Sequence, residues 1–176
     1  MKHLGIEISV RHLPALDPGY IPLKKFNQAF LADARIPLDI AVERSDGQTA
    51  VRHTRIHGTP ELAEADRYYV ERTIKTMLWL YGGFRVYLSG SRELCAAMRE
   101  IYAPQGVQAF DFHYMANVYE RPFEVVYCDA VPQEKGDPKA IGRHLEGCRI
   151  GFDAGGSDRK VSAVIDGKPV FSEEVV

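Results

Sequence analysis

Leu4, Ile6, Ile8 and Val10 alternate with Gly5, Glu7 and Ser9. A period of two places every second side chain on one face, so this stretch predicts a half-buried strand over residues 4–10. Pro14, Pro18 and Pro22, with Asp17 and Gly19 between them, predict a loop, followed by a short helix over 24–34. Ile40 and Val42 then alternate with Asp39, Ala41 and Glu43. Ser45-Asp46-Gly47-Gln48 supplies a turn and residues 49–56 return, a hairpin signal because glycine reaches positive φ without a Cβ clash.

Thr59-Pro60-Glu61 carries the marks of a helix start. A hydroxyl can cap free amides, proline suits the first helical position, and an acid faces the positive end of the dipole. Tyr69, Val70, Thr73, Ile74, Met77, Leu78 and Tyr81 repeat at the three-and-four spacing of one buried stripe, and Gly82-Gly83 ends it. The predicted helix runs over 60–81. A strand over 84–88, a helix capped by Ser91 and stopped by Pro104, and strands over 108–114 and 120–128 complete the pattern. Strands alternating with helices, flanked by hairpins, predict an α/β domain with a mixed sheet covered by helices. No internal repeat is present. Between Asp129 and His144 the apolar pattern lapses, and Pro132, Gly136 and Pro138 crowd among charged residues. Residues 129–144 are therefore expected to link an N-terminal α/β domain over 1–128 to a C-terminal segment over 145–176.

Composition and charge narrow the function. The 176 residues are 45% hydrophobic, 26% charged and 10% aromatic, a globular balance that argues against disordered or fibrous chains. The formal charge is -2, with basic and acidic residues interleaved, so neither nucleic acid nor a membrane surface is the expected partner. Cys95, Cys128 and Cys148 are widely spaced and form no C-x-x-C pair. That excludes a disulfide framework or zinc knuckle and fits a reducing compartment. Glu7 and Arg11 interrupt the apolar run a signal peptide needs, and no stretch is long enough to span a bilayer. The expectation is a cytoplasmic protein.

The C-terminal segment carries the strongest chemical signal. Residues 148–170 parse as strand, glycine turn, strand, Asp-Gly turn and strand. Gly155-Gly156 lets backbone amides approach a polyphosphate, and successive amides in such a turn form an anion-binding concavity. Ser157 and Lys160 add donors, and Asp153, just before the turn, suits a divalent cation held directly or through water. The order Asp153, Gly155, Gly156, Ser157, Lys160, then Asp166-Gly167, resembles the first phosphate motif of the sugar-kinase, Hsp70 and actin superfamily. Within it the segment is most similar to the ROK family of repressors, open reading frames and kinases. Activators of 2-hydroxyacyl-CoA dehydratases share a similar opening. The resemblance covers residues 149–176 and departs from the family in the charged pair Asp158-Arg159. It implies the first strands of an actin-like ATPase domain, with Asp153 at the magnesium-linked position, Gly155 and Gly156 at the phosphate turn, and Ser157 and Lys160 beside the phosphates. ATP and Mg2+ would be the cofactors, and a sugar or similar small molecule the substrate. The superfamily's second phosphate loop, catalytic acid and adenosine loop have no counterpart among these residues, so no catalytic residue is assigned. The isolated chain is expected to be inactive.

Other candidates are weaker. His53 and His57 fall on a predicted strand, where four residues span about 13 Å, too far to chelate one ion. Ser89-Gly90-Ser91 resembles a nucleotide loop, although capping by Ser91 explains it as well. Phe110, Phe112, Tyr114, Tyr119, Phe123 and Tyr127 form an aromatic cluster that is either one core face or a stacking platform. Cys95 has no paired histidine and is no nucleophile candidate. Two functions follow: the N-terminal portion of a ROK-like ATP-dependent sugar kinase or related ATPase, or a non-enzymatic ligand-binding or protein-interaction module. In either case the C-terminal strands present edges that could pair with another copy.

Overall fold

Ile40 and Val42, on a strand read from alternation, are fully buried, and so is Ala41 between them. Strand β3 (Ile36–Glu43) is therefore interior to its sheet. In the computed structural model, which describes residues 1–136 and 144–176, the chain divides into two compact units, Met1–Asp137 and Pro138–Val176.

The first unit begins with a small hairpin of β1 (Lys2–His3) and β2 (Ile6–Glu7). Its two-residue turn, Leu4-Gly5, has both residues at positive φ. The strand predicted over 4–10 is thus reduced to Ile6–Glu7, with a turn before it and no strand over 8–10. Ile6 and Ile8 are buried as the alternation requires, but Lys2 pairs with Glu7 and His3 with Ile6. After the loop come α1 (Leu23–Asp33), β3, β4 (Thr49–Ile56), α2 (Ala63–Tyr81), β5 (Arg85–Ser89), α3 (Arg92–Ile101), α4 (Ala109–Tyr119) and β6 (Glu124–Tyr127).

The sheet order is β4-β3-β5-β6. β3 is antiparallel to both neighbours, and β5 runs parallel to β6. Parallel neighbours need a crossover, which α3 and α4 provide. Leu38, Ile40, Val42, Val86 and Leu88 are buried on the sheet together with Phe26, Phe30, Tyr69, Ile74 and Met98 of the helices. The other sheet face is polar, with His53 Nδ1 2.8 Å from Asp39 Oδ1. On the same face Arg85 is shared between Glu43 at 3.2 Å and Glu124 at 2.8 Å. The mixed α/β architecture is as the pattern predicts.

Three further local expectations fail. Thr59 makes no side-chain cap. Residues Pro60–Leu62 form a 3-10 turn, and the α-helix starts only at Ala63. The free amides nearby are met instead by Asp66, whose carboxylate accepts from the backbone N–H of His57 at 2.9 Å and of Gly58 at 2.7 Å. The larger correction is at 108–114, where a helix replaces the predicted strand. Gln108, Asp111 and Met115 are buried while Phe110, Tyr114 and Val118 are exposed, which is the three-and-four period of a helix. The alternation of Phe110, Phe112 and Tyr114 mimicked a strand because aromatic residues favour strands. The final strand is shorter than the predicted 120–128, because Glu120 adopts a left-handed conformation that closes α4.

Of the predicted linker, residues 137–143 lie outside the described residues. Lys135 pairs with Thr49 on the outer edge of β4: Thr49 N–H donates to Lys135 O at 2.8 Å and Lys135 N–H to Thr49 O at 3.0 Å.

The second unit is an antiparallel meander of β7 (Cys148–Ala154), β8 (Arg159–Ile165) and β9 (Lys168–Val175). Ile165 pairs with Lys168 across Asp166-Gly167, both at positive φ, the geometry of the tightest hairpin turn. Asp166 Oδ1 also accepts from Gly147 N–H at 2.7 Å.

Candidate functional site

The residues of the C-terminal motif converge at one end of the meander. Ala154 pairs with Arg159, so the turn consists of Gly155, Gly156, Ser157 and Asp158. Asp153 pairs with Lys160, and Lys160 with Glu174. Directly opposed residues share a face, which puts these three charged side chains on one side of the sheet. Lys160 Nζ lies 3.0 Å from Asp158 Oδ2 and 3.3 Å from Glu174 Oε1. The Asp153 side chain is exposed and has no hydrogen-bond or ion-pair partner among the described residues.

Gly155 and Gly156 differ in their surroundings. A methyl group at Gly155 would stand 2.4 Å from Asp158 Oδ1 and 2.8 Å from the Asp158 carbonyl oxygen, whereas one at Gly156 would meet nothing within 4 Å. Asp158 thus folds its carboxylate over the turn at Gly155. An open depression beside the turn is lined by Phe152, Ala154, Gly156, Ser157 and Arg159. Phe152, Ala154 and Arg159 belong to the face opposite Asp153 and Lys160. Of the five motif residues, Asp153 and Lys160 stand on one face of the sheet and Gly155, Gly156 and Ser157 form the turn, while the depression opens on the other face. Asp153 is the carboxylate available to a hydrated magnesium ion, which needs only one or two protein carboxylates beside its waters and phosphate oxygens.

A second constellation lies within the first unit and was not legible from the sequence. Asp111, fully buried, accepts from Lys75 Nζ at 2.5 Å and from Trp79 Nε1 at 3.0 Å. Lys75 also donates to Gln108 Oε1 at 2.7 Å. Gln108 Nε2 donates to Glu71 Oε1 at 2.7 Å, and Glu71 is held by the adjacent Arg72 guanidinium. The Tyr102 hydroxyl donates to the Glu71 carbonyl at 3.3 Å. Burial, with the charges of Glu71 and Asp111 nearby, holds that hydroxyl's pKa above the usual tyrosine range. The network joins α2 to α4 and to the segment before it, and every charge in it has an opposite partner.

Above this network three aromatic rings meet at the surface. The Trp79 ring lies 5.3 Å from Tyr114 and 6.3 Å from Phe110, and Phe110 lies 5.7 Å from Tyr114. All three planes are parallel to within 20°. The predicted aromatic cluster is therefore split. Phe112 and Phe123 pack edge to face in the interior, while Phe110 and Tyr114 face solvent with Trp79. The signal that could have found Trp79 was its position outside the apolar stripe of α2, where a large ring is costly to expose without use.

The remaining candidates resolve into structure. Ser91 Oγ accepts from Leu94 N–H at 3.2 Å, an N-cap. His53 is engaged by Asp39 and the His57 ring packs against Phe30 at 4.7 Å. Cys95 is buried, and burial pushes its thiol pKa up, the wrong direction for a nucleophile. Among the described residues no group of three or more His, Cys, Asp or Glu side chains could hold a metal ion. No helix among them is long and apolar enough to cross a membrane. Compared with protein-family models, with curated proteins and with solved structures, the chain matches none.

Proposed function

We propose that residues 148–175 are the opening strands of an actin-like nucleotide-binding domain of the ROK type, and that the chain is the N-terminal portion of an ATP-dependent sugar kinase or related ATPase. One observation carries this reading. An unpartnered carboxylate, Asp153, is the last but one residue of β7, Ala154 leads from it into a four-residue glycine turn, and the next strand returns through a tight Asp166-Gly167 hairpin. In such a domain the turn amides of Gly155, Gly156 and Ser157 would hold phosphate oxygens, Lys160 would add a positive charge, and Asp153 would orient the hydrated Mg2+. Bound magnesium would offset the charge that develops on the transferred phosphoryl group. The hairpin supplies one wall of such a site, and phosphoryl transfer draws on positioning and charge from several sides. The 176-residue chain is therefore expected to bind Mg-ATP no better than millimolar and to turn over no sugar.

Titration of Mg-ATP into the isotopically labelled chain, followed by amide chemical shifts, tests the reading. Weak saturable shifts confined to residues 153–160 are expected. Micromolar affinity or turnover would overturn the fragment reading. A chain extended by the coding sequence after Val176 that binds no nucleotide would overturn the family reading.

A second reading is favoured by the exposed rings of Trp79, Phe110 and Tyr114. In it the first unit is a non-enzymatic interaction module, and the C-terminal strands serve assembly.

A further inference from the structure

We infer that the outer face of α4, together with Trp79 of α2, is a docking surface for a second copy of this chain through a two-fold contact. This goes beyond the nucleotide reading and does not depend on it. Phe110, Tyr114 and Val118 follow one another at four-residue spacing along α4 and are 67%, 43% and 56% exposed. Side chains four apart form one continuous ridge. Trp79, 51% exposed, stands beside the ridge in ring contact with Phe110 and Tyr114. Together the four side chains present on the order of 400 Å² of surface, the size of the largest apolar patch on an ordinary monomer.

The rings are held in place before any partner arrives. Trp79 cannot swing freely, because its indole N–H is bonded to a fully buried carboxylate that is itself paired with Lys75. An aromatic side chain already ordered loses little entropy on association, the property of an interface anchor. The polar atoms beneath the rings are consumed internally: Asp111 by Lys75 and Trp79, Gln108 by Lys75 and Glu71. Small-molecule sites are concave, whereas Phe110, Tyr114 and Val118 form an exposed ridge along α4. A protein surface fits better.

The identity of that partner follows from charge and area. None of the four side chains is charged, and the whole chain carries a formal charge of only -2, so two copies can meet on this face without opposing like charges. A two-fold contact asks only that the patch complement itself, and a ridge of rings at four-residue spacing can interleave with its own symmetry mate. The patch supplies about half of the about 800 Å² per partner that a specific dimer buries, and the exposed His113 and Asn117 on the same helix offer a polar rim.

Trp79 is the chain's single tryptophan, so its fluorescence reports on this face alone. The full 176-residue chain is examined by sedimentation velocity and by emission wavelength across a dilution series. A dimer is expected, with a blue shift of Trp79 emission that follows the dimer fraction. Phe110→Glu and, separately, Val118→Lys should each raise the dimer Kd about tenfold or more while leaving the circular dichroism spectrum unchanged. Phe171→Lys, on the separate C-terminal sheet, should leave the dimer intact. A chain that stays monomeric into the high micromolar range would overturn the inference. So would a dimer whose Trp79 emission does not move, or one broken by Phe171→Lys and indifferent to Phe110→Glu.

Discussion

Trp79 and Asp111, 32 residues apart in the chain, are joined by a 3.0 Å hydrogen bond from the indole Nε1 to Oδ1, which ties an exposed ring to a buried charge. The other oxygen of that carboxylate holds Lys75. Removing Asp111 leaves Lys75, about one third exposed, and the indole N–H without their acceptor, at a cost of about 1–3 kcal/mol. Asp111→Ala is expected to destabilise the chain by that order, measured by urea unfolding, and to release Trp79, seen as a drop in its fluorescence anisotropy. Asp111→Ala combined with Lys75→Met should recover much of the loss. Additive effects of the two substitutions would show that the pair is not coupled.

Met77 sits on the inner stripe of α2 and is 5% exposed. Met77→Asp would bury a charge with no partner, and should cost about 3 kcal/mol or more. A thermal midpoint unchanged by this substitution would contradict the packing of α2 on the sheet.

Tyr102 is buried, and its raised pKa makes the fold sensitive to alkali. In the unfolded chain the phenol ionises near its ordinary value of about 10, while in the folded chain it keeps its proton to higher pH. The folded state therefore binds more protons above that value, and stability falls as pH rises through it. Below pH 10 the contribution is fully present. Tyr102→Phe should flatten the decline of urea midpoint between pH 9.5 and 11, and an equally steep decline in the variant would assign the effect elsewhere.

Gly156 is required by nothing in the fold, since a Cβ there meets open space. Gly156→Ala should leave the thermal midpoint of the chain unchanged, yet weaken the amide shifts produced by Mg-ATP if the turn holds phosphate. Loss of stability would make the glycine structural, and unaltered shifts would remove it from the phosphate site.

Asp158 covers Gly155 and pairs with Lys160. Asp158→Asn takes away a negative charge beside the turn and leaves the ammonium of Lys160 paired with Glu174 alone. Exposed charges a few ångströms apart interact by about 1 kcal/mol, so tripolyphosphate should bind about fivefold more tightly to the variant. Weaker binding would show that Asp158 organises the turn rather than competing with the ligand.

The sequence by itself determined the elements whose signals are local. The hairpin at Asp46-Gly47, the stripe of α2 ended by Gly82, the Ser91 cap and the Asp166-Gly167 turn each depend on contacts within a few residues, so spacing and turn chemistry were enough. The strand, glycine turn and strand from Asp153 to Lys160 were likewise legible, because these residues are neighbours in the chain. The period of α4 could not be read, because Phe110 and Tyr114 are placed outward by what lies beneath them. Asp111 turns inward only because Lys75, 36 residues away, meets it there, and that turns the adjacent rings to solvent against Trp79. Which face Asp153 shares with Lys160, and that Asp158 closes over Gly155, were also decided by strand pairing. Long-range partners override local propensity wherever a charge must be matched before it can be buried, and that condition belongs to the folded chain alone.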